Sequence, residues 1–286
     1  MRGNLKYLWL KNKGVTLIEL MIALVISSIL IAALYRVFIS QQKTYTVQDQ
    51  VTDMQQNARQ SINRMMSEIR MAGFGNVGEV LGLVGGVNGF TQAITPGSNT
   101  ITIVGGFKQI RRDNGDPILI SSASGNTITL NYATDEFDRP AHQFISIGGV
   151  ESSTVLQRNV RILTLSSNLK LNHRPDLYTI PIFKIQAVTY TKEVSDDGKP
   201  VLYRNENTGG GRQPLADNIE NIQFRYTLVD GSETDLPANP ANVRMVRATV
   251  TATTAISDDE YKNRKIIPPK RTIASNIYLR NMTLSQ

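Results

Sequence analysis

The sequence contains no cysteine, and that absence removes several classes of site at once. Without thiols there is no disulfide framework, iron–sulfur cluster, thiolate zinc site or cysteine nucleophile. Histidine is scarce as well, since His142 and His173 are the only two, so histidine-rich metal sites and His-dependent triads lack their residues. No P-loop, H-E-x-x-H, G-x-S-x-G or glycosidase signature occurs. We therefore expect no catalytic residues, no cofactor and no metal, and we predict that the protein is not an enzyme.

More than half of the net positive charge of the chain lies at its N-terminus. The 286 residues carry 31 Lys and Arg against 24 Asp and Glu, a surplus that taken alone would suggest an anionic partner such as nucleic acid. Four of these cations, Arg2, Lys6, Lys11 and Lys13, lie in the first fourteen residues, which contain no acid. The rest of the chain has 27 basic against 24 acidic residues and is close to neutral. Nucleic acid is therefore a possible partner but not the favoured one.

A long apolar run follows the basic leader. Leu20 to Tyr35 contains no charge, and with its flanks the run is about 24 residues, or roughly 36 Å of helix. That length spans a bilayer core of about 30 Å. A cleaved secretory signal would have a shorter apolar region followed by an A-x-A site, and neither is present. The pattern predicts a retained single-pass helix with its N-terminus in the cytoplasm.

The residues at the entrance to this run form a motif. The order is Lys-Gly-Val-Thr-Leu-Ile-Glu, which places Glu19 at the start of an apolar span where burying a charge is costly. One interpretation is a carboxylate lying at the level of the lipid headgroups. The segment also resembles the prepilin cleavage and methylation motif of type IV pilins and type II secretion pseudopilins. The resemblance implies that a membrane-embedded prepilin peptidase cuts between Gly14 and Val15 and methylates the amine of Val15. It also implies that Glu19 pairs with the α-amine of a neighbouring subunit during filament assembly.

An amphipathic helical stripe continues beyond the apolar run, and no proline interrupts it before Pro96. Gly73 and Gly75 then form a stop signal. With Gly78 they also match G-x-G-x-x-G, but a dinucleotide site needs a strand before the glycines and a helix after them, and neither is predicted here. We predict a leader over 1–14, a long helix over 15–75 with about 15–39 in the membrane, and a β-rich head over 76–286. The fold class is α+β and pilin-like. The stripe consists of Val47, Val51, Met54, Ala58, Ile62, Met65, Ile69 and Ala72.

Short alternating apolar runs separated by turn residues predict the strands of the head. Asp197-Gly198 predicts a hairpin, whereas Asp230-Gly231 predicts a longer loop. The side chains of Ile222, Phe224 and Tyr226 alternate and are expected in the core. The predicted strands are Thr100–Val104, Ile118–Ser121, Thr127–Tyr132, Gln143–Ile147, Arg161–Leu165, Thr179–Thr191, Val201–Arg204, Asn221–Leu228, Val243–Thr253 and Thr272–Arg280.

The last third of the chain narrows the resemblance. The segment Leu202–Tyr226 is similar to the PilW-like minor pilins, with a Leu-Tyr-Arg strand, a variable loop and then Leu-x-x-x-Ile-x-x-x-Gln-Phe-x-Tyr. The resemblance implies a minor pilin of a type IV pilus that is inserted in the inner membrane with its head in the periplasm. It also implies assembly into the extracellular pilus at the tip or in a priming complex. The implied partners are other major and minor pilins, contacted through the N-terminal helix, the prepilin peptidase, the inner membrane and a pilus-tip adhesin.

Alternatives remain open at this point. The same residues fit a minor pseudopilin of a type II secretion system. A third hypothesis assigns a binding function instead, as a pilus-tip adhesin or DNA-binding subunit that uses a basic loop near the C-terminus. Two acidic runs, Asp196-Asp197 and 258–260, are either solvated loops or oxygen ligands for Ca²⁺. The basic loop comprises Lys262, Arg264, Lys265, Lys270 and Arg271.

Overall fold

The computed structural model describes residues 14–137, 143–170, 179–254 and 269–282. The chain divides into two compact units, Met1–Val51 and Thr52–Gln286. The first unit contains the beginning of a long helix. The second contains the rest of that helix and every strand of the described chain.

The long helix, α1, runs from Leu17 to Arg70 and comprises 54 residues. Its first part carries large apolar side chains that are all exposed, and it is the one helix among the described residues that is long and apolar enough to cross a membrane. The end of the helix is different, because from Met54 to Ile69 the predicted stripe is buried against the head. There Asn57 Nδ2 donates to the carbonyl of Asp217 at 3.3 Å. The apolar side chains of α1 are thus exposed in the first unit, whereas in the second unit one face of the helix is buried.

Among the described residues, a short helix, fourteen strands and one 3₁₀ turn follow α1. Their bounds are α2 Gly78–Leu81, β1 Ile94–Pro96, β2 Thr100–Gln109, β3 Ile120–Ser124, β4 Thr127–Leu130, β5 Gln143–Ile147, β6 Glu151–Asn159, β7 Ile162–Leu165, β8 Ile182–Val194, β9 Pro200–Asn205, β10 Arg212–Asp217, β11 Ile219–Leu228, β12 Glu233–Thr234, the 3₁₀ turn Pro240–Asn242, β13 Val243–Thr253 and β14 Lys270–Tyr278.

The first sheet has ten antiparallel strands organised around β8. The main order is β1-β2-β8-β5-β6-β7-β4-β3, and β9 and β10 extend from the second half of β8. One edge of β8 pairs with β2, while its other edge pairs first with β5 and then with β9. Because β8 has thirteen residues, it is long enough to hold both neighbours on one side. A hydrophobic cluster rich in Ile and Leu packs on the part of this sheet that contains β5 and β7, around Ile145 and Leu163.

The second sheet has four antiparallel strands in the order β12-β11-β13-β14. The side chains of Ile222, Phe224 and Tyr226 on β11 are buried, as the alternation predicted. The Tyr226 hydroxyl donates to the Gly97 carbonyl at 3.0 Å and accepts from its N–H at 3.2 Å. A buried phenol therefore keeps a hydrogen-bond partner while its ring fills the core.

The structure confirms the predicted fold class, which is α+β with a long helix and a β-rich head. Every predicted strand has a counterpart in the structure, and the Asp197-Gly198 hairpin joins β8 to β9. The longer loop predicted after β11 is wrong. Leu228 N–H donates to the carbonyl of Ser232, so Asp230-Gly231 form a tight hairpin to β12. A strand of two residues is too short for an alternating pattern to indicate it.

Candidate functional site

The predicted cleavage point lies in the short segment before α1. Gly14 and Val15 are not helical, and both are exposed. Val15 is 74% exposed, and a Cβ added to Gly14 would meet no atom within 4 Å. Backbone between these two residues is therefore open, without any neighbouring element of the described chain across it.

Two side chains close the first turn of α1. The N–H of Thr16 donates to Glu19 Oε2 at 2.8 Å, and the Thr16 hydroxyl donates to the same oxygen at 2.8 Å. The N–H of Glu19 in turn lies 3.3 Å from Thr16 Oγ1. This reciprocal arrangement is a capping box, in which two backbone donors at the helix start obtain acceptors. Sequence reasoning found Glu19 but missed this local role, although the spacing Thr-x-x-Glu signals it.

The capping geometry leaves part of the Glu19 carboxylate for another partner. The described hydrogen bonds all use Oε2, and the side chain is exposed. If a neighbouring apolar surface removed this carboxylate from water, an uncompensated charge would cost several kcal/mol. A cation such as a terminal amine would offset that cost. The site can therefore cap its own helix and accept an intermolecular cation at the same time.

The apolar residues that follow have no partner within the described chain. Leu17, Ile18 and Met21 are each more than half exposed, and the same holds for the large apolar side chains onward to Phe38. A soluble helix with such a surface would be buried against a core. Exposure on all sides is instead typical of a helix that is solvated by lipid or by other apolar helices.

The glycine-rich stretch after α1 has a structural role. Gly73 and Gly75 adopt φ values of +79° and +102°, and a Cβ at Gly75 would lie 2.9 Å from the Cβ of Ser146. A long helix precedes these residues, and contrary to expectation a helix follows them, the single turn α2. The stretch lines a cavity of about 830 Å³ with no charged side chain in its described lining. This arrangement lets the backbone turn close to β5 and lacks the strand of a dinucleotide site.

Candidate ligands for a cation are few in the described chain. No group of three or more His, Asp or Glu residues is placed to hold a metal ion among the described residues. Asp197 instead pairs with Lys199 at 2.7 Å, and the hydrogen bonds from Lys199 and Ser195 lower the pKa of its carboxyl to about 2. The second acidic run, 258–260, lies outside the described residues.

The basic loop is only partly within the described chain. Lys262, Arg264 and Lys265 lie outside the described residues. Lys270 begins β14 and forms an ion pair with Glu220, while Arg271 is exposed. The structure therefore does not bring the five basic residues together into a surface that can be described.

Sequence reasoning missed a buried polar cluster between α1 and the first sheet. Glu68 on α1 is 6% exposed and accepts from the Tyr190 hydroxyl at 2.7 Å. Arg204 Nε donates to both carboxylate oxygens, at 3.1 and 3.2 Å. The signal was a charge within the apolar stripe, since Glu68 falls between Met65 and Ile69. This cluster fastens the end of the helix to the head, within the second unit.

Comparison with known proteins gives one match. A family model described as the prokaryotic N-terminal methylation motif matches residues 9–35, which include the glycine, the capping carboxylate and the exposed apolar stretch. Comparisons with curated proteins and with solved structures gave no match. The motif implies processing by a prepilin peptidase and assembly with other pilins, and the apolar helix is consistent with anchoring in the inner membrane. The chain thus carries the processing motif of type IV pilins and pseudopilins, which indicates a structural rather than an enzymatic protein.

Proposed function

We propose that this chain is a PilW-like minor pilin of a type IV pilus. The observation that carries the proposal is the methylation motif on a helix whose apolar surface is wholly exposed in its first part. A helix of this kind needs a lipid or protein partner. The PilW-like assignment rests on the segment Leu202–Tyr226, which spans most of strands β9 to β11 and includes Arg204, the partner of Glu68 on α1.

The first step of the proposed function is maturation. The leader, residues 1–14, carries four cations and orients the chain with its N-terminus in the cytoplasm. The prepilin peptidase cuts between Gly14 and Val15 and methylates the new amine. The exposed, non-helical backbone at this point supports the proposal, because a peptidase needs extended and accessible chain. The region 15–75 then anchors the protein, and the head, 76–286, occupies the periplasm.

The second step is assembly through the helix. In a filament the apolar parts of neighbouring helices pack together, so each subunit covers the surface that its neighbours leave exposed. Glu19 meets the amine of an adjacent subunit there, through the carboxylate oxygen that capping leaves free. The partners are the major pilin and other minor pilins, and the assembled protein leaves the inner membrane for the pilus.

The third step concerns position in the filament. The second unit holds two sheets, of ten and four strands, and this is a broad body for the repeating unit of a thin fibre. A low-copy position, at the tip or in the complex that primes assembly, accommodates such a body once per filament rather than at every step. The head therefore supports a minor rather than a major role.

The test is to delete the gene and measure both piliation and type II secretion in the same strain. The proposal predicts few or no surface pili with normal secretion, and restoration of pili by the full chain. It also predicts that sheared pili contain the protein at a small fraction of the major pilin. Normal piliation with lost secretion would assign the chain to a pseudopilus instead.

A further inference from the structure

The outer edge of the second sheet differs from every other sheet edge in the described chain. β14 is the last strand of its sheet and pairs with β13 through nine consecutive residue pairs, from Lys270 to Tyr278, without a register shift. No other described strand pairs with it. A regular strand of this length with one side unpaired presents a row of backbone donors and acceptors.

The hydrogen bonds at the two ends of the ladder show which residues face outward. Leu279 N–H donates to the carbonyl of Arg244 at 3.0 Å, and Thr254 N–H donates to that of Pro269 at 3.2 Å. Residues in an antiparallel pair alternate between bonding to the partner and facing away. Odd-numbered residues of β14 therefore bond to β13, and even-numbered residues point their N–H and C=O groups away from the sheet. Beyond Lys270 at the start of the strand, the outward residues are Thr272, Ala274, Asn276 and Tyr278.

These four residues are open to contact. All are exposed, Tyr278 to 69%, and no hydrogen bond within the described chain reaches their backbone N–H or C=O groups. From Thr272 to Tyr278 the strand has no charge, no proline and no bulge. Charged residues, prolines and bulges are the devices that normally prevent a sheet edge from pairing with another chain.

The other edges of the two sheets do carry such devices. β12 is two residues long, and beside it the N–H of Phe224 on β11 donates to the carbonyl of Ser98. β1 has three residues and ends in Pro96, and β10 contains Pro214 with a register shift next to it. β3 also has a register shift. Among the described edges, only β14 is long and regular, and from Thr272 to Tyr278 it carries none of these devices.

We propose that β14 takes up an extended strand from a different pilus subunit, which adds to the second sheet. The proposal rests on the proposed function, because neighbouring subunits would be held side by side by their helices. That tethering raises the effective concentration, so an added strand needs little intrinsic affinity. The backbone of the incoming segment pairs with the four outward residues and supplies hydrogen bonds independent of its side chains.

The charge at one end of β14 defines the partner further. Arg271 is exposed and has no ion pair within the described chain, and the nearby Lys270 is already paired with Glu220. The strand itself contains no carboxylate. A second copy of the same edge would therefore leave Arg271 unpaired in both subunits. A segment of another subunit with an acidic residue at this end would pair with it, and we assign the partner to that class.

The experiment places a photo-crosslinking amino acid at position 276 in the full chain, expressed in the piliated strain. Crosslinks are identified by mass spectrometry in inner membranes and in sheared pili. We expect a light-dependent product with another pilus subunit, joined at an extended segment that contains an acidic residue. Ala274→Pro removes one outward N–H without touching the ladder to β13, and it should lower the crosslink at least tenfold. The matched control Ala274→Val keeps the N–H and should change the yield less than twofold.

Several results would overturn the proposal. A crosslink confined to residues 255–268 of the same chain would mean that its own segment occupies the edge, and a crosslink to a second copy would refute the choice of partner. No crosslink, or one insensitive to proline, would also refute it. If Ala274→Pro loses the circular dichroism spectrum of the head, Thr272→Pro removes an equivalent outward N–H and is scored instead. Normal maturation and pilus incorporation without a crosslink would refute the strand-addition proposal alone. A chain absent from pili would contradict the proposed function. In that case the crosslink in inner membranes would still test whether β14 pairs with another subunit.

Discussion

Removal of the Glu68 carboxylate is the perturbation that tests most directly how the helix is held on the head. Three groups converge on this side chain. The Tyr190 hydroxyl lies 2.7 Å from Oε2, Arg204 Nε lies 3.1 Å from the same oxygen, and Arg64 Nη2 lies 2.6 Å from Oε1. Glu68 and Arg204 side chains are only 7% and 10% exposed. Glu68→Ala leaves both Arg204 and Tyr190 buried without their shared acceptor.

The expected cost follows from these contacts. Breaking a buried ion pair by removing one partner costs about 3–5 kcal/mol. An unsatisfied buried hydroxyl costs about 1–3 kcal/mol. Glu206 reduces the total, because its Oε1 accepts from Arg204 Nη1 at 2.7 Å and keeps the guanidinium partly compensated. We therefore expect Glu68→Ala to lower the free energy of unfolding by about 3 kcal/mol.

The assay is guanidinium unfolding of the full chain in detergent micelles, followed by far-ultraviolet circular dichroism. Arg64→Ala is the matched control, because Arg64 binds the same carboxylate but is 51% exposed, and an exposed pair contributes only about 0–1 kcal/mol. A loss below about 1 kcal/mol for Glu68→Ala, or equal losses for the two variants, would show that the buried cluster does not hold the helix on the head.

The same cluster predicts a dependence on alkaline pH. Burial raises the pKa of the Tyr190 hydroxyl far above its usual range, and the adjacent Glu68 carboxylate raises it further. Folding therefore favours the neutral phenol. This contribution is complete below the unfolded pKa of about 10 and is lost as the pH rises above it. The free energy of unfolding should fall more steeply above about pH 10 in the wild type than in Tyr190→Phe, measured by the same denaturation. Parallel curves would contradict this assignment.

Two further predictions concern the loop after α1 and the start of α1. Gly75→Ala places a Cβ 2.9 Å from the Cβ of Ser146 at a φ of +102°, and should cost about 2 kcal/mol or more. Gly115→Ala is the control, because Gly115 also has a positive φ but lies in open space, and its free energy of unfolding should fall by only about 1 kcal/mol. Similar losses for the two variants in thermal unfolding would show that the close contact at Gly75 does not matter. Thr16→Ala removes the cap but keeps the carboxylate of Glu19, whereas Glu19→Gln keeps a capping side chain but removes the charge. If the charge serves assembly, incorporation into sheared pili should fall at least tenfold for Glu19→Gln and little for Thr16→Ala, and equal effects would assign the role to capping.

Local periodicity made the helix and most strands predictable. The stripe from Met54 to Ile69 repeats every three or four residues, and it is buried as predicted. The residues of β13 alternate between core and surface, and its predicted bounds match the structure. β6 was missed because its first residues, Glu151, Ser152 and Ser153, are polar and yet buried. β10 was missed because Pro214 interrupts it, and prolines ordinarily argue against a strand.

The candidate functional residues were also predictable only where they lie close together in the sequence. The processing motif is contiguous, so residue order alone indicated Gly14, Val15 and Glu19 as the residues to consider. The Glu68 cluster joins residues more than one hundred positions apart. No local pattern specifies which strand position meets a helical carboxylate across that separation. The position of β14 at the edge of its sheet likewise depends on which strands pair with one another. The residues of β14 alone do not determine that order.

A prepilin loses its leader on maturation, so the mass of the N-terminal peptide shows whether this chain matures in that way. The protein is purified from strains with and without prepilin peptidase, digested and analysed by mass spectrometry. We expect the strain with the peptidase to yield a mature chain beginning with N-methylated Val15, and the strain without it to retain Met1 to Gly14. A chain that keeps its leader in the presence of active peptidase, or that begins at another residue, would show that it does not mature as a prepilin.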